Sequence, residues 1–191
     1  MNRETETDHQ INELIESRWS PRSFSEKPVS EEDIKSMFEA ARWSFSCANY
    51  QPWNYFYAMH ADDTKFEKLF SCLTPGNQKW ANNAAILIVG VIKRKFDNGE
   101  LNEWAKHDLG AANMSLALQG QSMAIYSHFM AGFDKQQAIT ALNLDPEEFE
   151  PVTFAAVGYL DSPGKLAEPY KTRETAPRKR KELIEFVHQV N

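Results

Sequence analysis

Ala84-Ala-Ile-Leu-Ile-Val-Gly-Val-Ile92 is an unbroken apolar run, largely β-branched, with no polar alternation. A strand that exposed one face to water would alternate; this one predicts a strand buried on both faces, in the middle of a sheet. The run is only about half of the roughly 20 residues that a bilayer-spanning helix needs, so no membrane span is expected. N-terminal to it, Trp53–Met59 is aromatic-rich and follows Pro52, which predicts another strand, with a helix over Asp62–Cys72 between the two. C-terminal to it, Glu103 to about Tyr126 holds neither proline nor a turn cluster. Leu109, Ala112, Met114, Leu116, Leu118, Met123 and Ile125 fall on several faces there, which predicts a helix buried nearly all round.

The flanks complete an α+β pattern. Ser30 followed by Glu31, Glu32 and Asp33 is an N-cap with an acidic first turn, and Ile34, Met37, Phe38 and Ala41 then repeat at helical spacing. Ile11, Leu14 and Ile15 mark a shorter helix after a polar stretch, residues 1–8, that is expected to be frayed. Lys135–Leu142 predicts a helix and Val152–Leu160 a final strand. Beyond Ser162, Pro163, Gly164, Pro169 and Pro177 interrupt any periodicity, so residues 163–191 are expected to form an extended arm ending in a last short helix. No repeat, low-complexity stretch or shift in composition divides the chain, so residues 1–191 predict one domain with a layered sheet.

With 191 residues, 42% hydrophobic and 25% charged, the chain has ample material for one core. A net charge of −6 argues against a general nucleic-acid binder, which needs a basic surface. The charge is uneven: from Lys165 to Asn191 seven Lys or Arg stand against four Glu, a balance of +3, so residues 1–164 carry −9. A basic tail on an acidic body suggests a site for one small anion. The start, MNRETETDHQ, has no apolar signal-peptide core, and Cys47 and Cys72 are too sparse for a disulfide framework, so thiols and a cytoplasmic setting are expected.

Several familiar chemistries lack their signatures. None of the eight glycines forms GxGxxG or a Walker A loop. His9, His60, His107, His128 and His188 show no metal-ligand spacing, and no GxSxG elbow accompanies His107-Asp108. Three short segments remain. Arg18-Trp-Ser-Pro-Arg22 can grip a phosphate through two guanidiniums and a hydroxyl, or simply end a helix in solvent. Ser44-Phe-Ser-Cys-Ala-Asn-Tyr-Gln-Pro-Trp53 offers Asn49 and Gln51 to the edge of a flat heterocycle, or is an ordinary helix-to-strand loop. Gly76-Asn-Gln-Lys-Trp80 places Asn77 either at a ligand or in a turn.

In this order and spacing, and followed by His107-Asp-Leu-Gly110, His128-Phe-Met-Ala-Gly-Phe-Asp134 and Arg178-Lys-Arg180, these segments resemble the nitroreductase family of flavoenzymes over nearly the whole chain. The resemblance implies an α+β fold with a central, mostly antiparallel sheet packed with helices, an intertwined homodimer, and FMN at the subunit interface. It implies that Arg18, Ser20, Arg178 and Arg180 hold the phosphate and ribityl end, with Trp19 contributing mainly backbone. Arg22 and Asn77 fall at the pyrimidine edge, where a cation stabilises the negative charge of the reduced ring. Ser46, Cys47 and Asn49 would approach from the other subunit. Met130, Ala131 and Gly132 would line the ring, Gly132 with a backbone N–H toward flavin N5.

The activity so implied is hydride transfer from NADH or NADPH, through flavin, to an electron-poor small-molecule acceptor such as a nitroaromatic or quinone, with no dedicated catalytic side chain. Three departures stand out: Ala131 where many members carry Glu, Trp80 where some have Lys at the flavin edge, and Cys47 in a position often filled by Ser. Ala131 and Trp80 keep open a flavin-binding protein with little turnover; nothing in the residues selects against a flavin dehydrogenase or dehalogenase of the same fold, and the basic arm keeps open a domain without flavin that binds a partner.

Overall fold

The computed structural model describes residue 5 and residues 7–190; the expectation of a frayed start falls largely on residues outside these. Four strands, β1 (Trp53–Met59), β2 (Ile86–Lys93), β3 (Tyr126–Met130) and β4 (Phe149–Gly158), form one sheet in the order β1-β2-β4-β3. Every pairing is antiparallel. The apolar run that opened the reading is β2, interior to the sheet and buried along nearly its whole length.

The period of two along β2 explains why both faces are dry. Leu87, Val89 and Val91 face one core with Phe154 and Ala156, covered by Phe66 and Leu69 of α3 (Asp63–Phe70), Trp80 and Ala81 of α4 (Pro75–Ala81) and Ala138 of α6 (Lys135–Leu142). Ile86 and Ile88 face a second core with Ala155 and Val157. It is covered by Ile34, Met37 and Ala41 of α2 (Glu31–Arg42) and by Ala112 and Leu116 of α5 (Ala105–Ser122). Each such Ile, Leu or Val side chain contributes roughly 1.5–3 kcal/mol by leaving water, so the three layers are held mainly by this strand's two faces. Pro151 enters β4 opposite Val91 at a register shift, where the ladder needs no N–H from it.

Ser30 caps α2 by accepting from the Asp33 N–H at 3.1 Å, as its sequence predicted. The α5 expectation needs correction: the helix stops at Ser122, and Tyr126 already belongs to β3. Ala124 takes a left-handed φ of 57°, and the Ile125 N–H returns to the Gly120 carbonyl at 2.8 Å, reversing the chain with alanine rather than glycine at the left-handed position. Gly120 is needed there, since an added Cβ would lie 2.8 Å from the Ile125 carbonyl oxygen and 2.8 Å from the Met37 methyl. Residues 76–80, left open as a ligand contact or a turn, lie in the helix α4, with Pro75 in its first turn. The arm is less extended than its prolines suggest. It holds α7 (Tyr170–Thr175), while the expected last helix is only a 3-10 turn at Leu183–Glu185.

Candidate functional site

The short helix α1 (Glu13–Ser17) delivers the Arg18–Arg22 segment, and the arm returns to grip it at two places. The Arg178 guanidinium donates to the carbonyls of Arg18 at 2.7 Å and Glu16 at 2.8 Å. Arg178 thus holds the backbone that carries Arg18, a task the sequence did not suggest. Burial, and then the neighbouring Arg180, push the Arg18 pKa below its ordinary value. Two guanidiniums gathered in this way fit an anion, which would relieve their repulsion. Ser20 is exposed beside them, and Trp19 is spent in the core, edge-on to Tyr126 at 6.4 Å.

A second group lies next to the first. Arg22 stands 5.8 Å over the ring of Trp80, which is 2% exposed, stacked 6.5 Å from Phe24 and tilted 4.5 Å from His128. The expectation that Trp80 meets a ligand at the edge of the site is therefore corrected: it is core, and acts on the site by supporting Arg22. His128 binds the Pro21 carbonyl at 2.9 Å, and burial, then Arg22, push its pKa down to about 4. It is a neutral strut beneath the segment.

One turn before Trp80 on α4, Asn77 donates to the Gly132 carbonyl at 2.9 Å. The Thr74 hydroxyl and its N–H reach the same oxygen, each at 3.1 Å. A Cβ on Gly132 would lie 2.8 Å from Asn77 Nδ2 and 3.0 Å from Thr74 Oγ1, so any larger residue here must displace the Asn77 side chain. Ala131 beside it is exposed, whereas the Met130 side chain is buried in the core.

Ser46, Cys47 and Asn49 are elsewhere. They sit in a loop whose residues Ala48, Asn49 and Gln51 all have φ near 50°, at 49°, 55° and 52°. Asp108, 1% exposed, holds the loop by accepting from the Cys47 N–H at 3.1 Å, while His107 contacts its other oxygen at 3.1 Å. Asp108 is in the first turn of α5, and Gln121 in its last turn donates to Ser17, next to Arg18, at 3.2 Å. Thirteen residues of helix separate the two ends, roughly 20 Å at 1.5 Å per residue. Within this chain the loop with Ser46, Cys47 and Asn49 and the segment with Arg18 are thus at opposite ends of α5, and the expected site is in two halves.

The structure adds residues that the sequence reading did not assign. Glu174 on α7 is 1% exposed and accepts from the N–H groups of Arg22 at 2.8 Å and Ser23 at 3.1 Å. Asp108 and His128 were visible within quoted segments, but their roles as struts were not. Arg42 pairs with Glu39 on the surface and Lys79 is exposed. A cavity of about 440 Å³ bordered by Val29, Met59, His60 and Ala84 shares no residue with either half. Among the described residues no cluster of His, Cys, Asp or Glu could hold a metal, and no helix is long and apolar enough to cross a membrane.

Comparison with known proteins gives a consistent picture. Residues 15–74 match the model of the nitroreductase family. A protein of Archaeoglobus fulgidus with the provisional name NADH dehydrogenase/NAD(P)H nitroreductase is 26% identical over 149 residues, covering 76% of this chain and 83% of its own. A crystal structure described as an oxidoreductase containing FMN superposes with a TM-score of 0.91 at 29% identity, over 97% of this chain and 94% of that one. A provisionally named nitroreductase of Desulfovibrio desulfuricans in complex with FMN shares the fold, with a TM-score of 0.74 at 22% identity over 95% and 99% of the two chains.

Proposed function

The chain belongs to the nitroreductase family, and from that premise we propose that it is a single-domain, FMN-dependent NAD(P)H oxidoreductase that works as a homodimer. The observation that carries the site is the geometry that holds the Arg18–Arg22 segment and Gly132 in place: Arg178 on the Arg18 carbonyl, Trp80 against Arg22, and Asn77, one turn before Trp80, on the Gly132 carbonyl. The donor set suits FMN: an anion grip at one end, and a guanidinium, a carboxamide and an unhindered backbone at the other. Bound FMN would take hydride from NADH or NADPH and pass it to an electron-poor small molecule such as a nitroaromatic or quinone.

The protein's part is to bind, orient and exclude water. Arg18, Arg180, the Ser20 hydroxyl and the Trp19 backbone hold the phosphate and ribityl end; Arg178 keeps that segment in place. Arg22 and Asn77 meet the pyrimidine edge, with Gly132 and the neighbouring backbone of Met130 and Ala131 against the ring. Ser46, Cys47 and Asn49 complete the ring's surroundings from a second copy, because a single copy keeps them roughly 20 Å away along α5.

Exposed apolar groups support that second copy. Trp43 is 78% exposed, and Phe45, Leu101, Trp104 and Met114 are also exposed around the same loop and α5. Leu183, Ile184, Phe186, Val187 and Val190 leave the end of the arm apolar and uncovered. Together they exceed the scattered apolar exposure of an ordinary monomer and suit an interface wrapped by the arm. The unbridged Cys47 and Cys72 agree with a cytoplasmic protein.

The visible spectrum of the purified protein under anaerobic conditions tests the function. Flavin bands that bleach on adding NADH or NADPH, and return with a quinone, are expected. Bands that persist with both donors would make the chain a flavin-binding protein without turnover, and no bands after FMN addition would overturn the flavin reading.

A further inference from the structure

Glu174 is a charged side chain buried against Arg22, 1% exposed, and it comes from the arm rather than from the folded body around it. Its Oε1 accepts both the Arg22 N–H at 2.8 Å and the Ser23 N–H at 3.1 Å. Its Oε2 accepts no hydrogen bond but lies 3.9 Å from Arg22 Nη1. Burying a carboxylate is costly, and one guanidinium at this distance offsets the cost only in part. On its other side Arg22 faces Trp80, itself fixed between Phe24 and His128. The guanidinium is bracketed by an immobile ring and a buried carboxylate, with its own backbone tied to that carboxylate.

We propose that Glu174 is a positioning residue for the flavin edge: its Oε1 anchors the Arg22–Ser23 backbone, and its negative charge fixes and tempers the Arg22 guanidinium that faces the cofactor. The anchoring stands on the geometry, while the effect on flavin rests on the FMN function proposed above. The arm thereby sets the electrostatics of the site as well as its shape. Tyr170, also on α7, donates to the Gly76 carbonyl at 2.8 Å and docks the same helix onto α4, next to Asn77. One short helix therefore registers both cofactor-facing groups, Arg22 and Asn77, against each other.

The anchor and the charge separate in two substitutions. Glu174→Gln keeps an oxygen for the two N–H groups but removes the charge; Glu174→Ala removes both. In the flavin-free chain, hydrogen exchange at the Arg22 and Ser23 amides is expected to accelerate at least tenfold in Glu174→Ala, relative to the Ile88 amide of β2, and to stay near wild type in Glu174→Gln. With FMN bound, Glu174→Gln is expected to favour the reduced cofactor about tenfold, a rise of about 30 mV in its two-electron midpoint potential. Arg22→Gln, which leaves Glu174 uncompensated, is expected to shift the potential the opposite way.

Unchanged exchange at Arg22 and Ser23 in Glu174→Ala, or acceleration no greater than at Ile88, would overturn the anchor. Potentials unmoved by both Glu174→Gln and Arg22→Gln would overturn the electrostatic role. A wild-type chain that takes up no FMN would instead sink the flavin function, and the exchange measurement would still decide the anchor.

Discussion

Replacing Gly132 by alanine separates folding from cofactor binding at one junction. The new Cβ would come within 2.8 Å of Asn77 Nδ2, closer than such contacts are found, and within 3.0 Å of Thr74 Oγ1, a tight contact. Both obstacles are the ends of side chains, so the fold can yield by swinging Asn77 away from the Gly132 carbonyl it now holds at 2.9 Å. That carbonyl keeps the Thr74 N–H at 3.1 Å. The loss to stability is then about one net hydrogen bond, roughly 1 kcal/mol, or about 2–4 °C in Tm for a domain of this size. If FMN sits as proposed, the loss to its binding is larger in proportion, because Asn77 would leave the ring edge and a methyl group would stand before the Gly132 backbone. At least a tenfold rise in Kd is expected, about 1.4 kcal/mol. The assay is quenching of FMN fluorescence by titrated apoprotein, with thermal unfolding alongside. Gly164→Ala, whose Cβ would meet only Ser162 Oγ at 3.4 Å, is the control that should change neither. A Gly132→Ala protein that melts lower yet binds FMN like wild type would show that the junction is structural and does not face the cofactor.

Other expectations follow from the same geometry. Arg18→Ala should weaken FMN binding more than tenfold while Arg42→Ala, on the surface with Glu39, leaves it unchanged; equal losses in the quenching titration would remove Arg18 from the phosphate grip. Burial and Arg22 hold the His128 pKa at about 4 against 6.5, so its neutral form stabilises the fold fully above pH 6.5 and that contribution is lost as pH falls toward 4. The loss amounts to at most about 3 kcal/mol, and urea midpoints between pH 7 and pH 4 should fall less steeply in His128→Gln; parallel slopes would refute it. Light scattering should give twice 21.9 kDa, and a stable monomer that still binds FMN would overturn the shared site.

The local code was legible wherever an element's own residues settle its form. The two-sided strand at 86–93, the Ser30 cap and the Lys135–Leu142 helix need only burial period and capping chemistry, and the structure shows all three. It failed where distant atoms decide. The end of α5 depends on Gly120 meeting Met37 and on Ala124 accepting a left-handed backbone, and β3 exists because Tyr126–Met130 finds β4 as a partner. Neither contact leaves a periodic trace.

For the site, the sequence by itself determined which residue types are available: the arginines of 18–22 and 178–180, Asn77, Gly132 and the polar loop at 44–51. Only the tertiary structure decided how they are used. It turned Arg178 inward to backbone carbonyls, sank Trp80 into the core, and brought Glu174 across 152 residues to the Arg22 N–H. It also set the two halves of the expected site at opposite ends of α5. The physical reason is that spacing along the chain fixes only short-range geometry, whereas burial and hydrogen-bond satisfaction are settled by whichever distant groups the packed layers bring together.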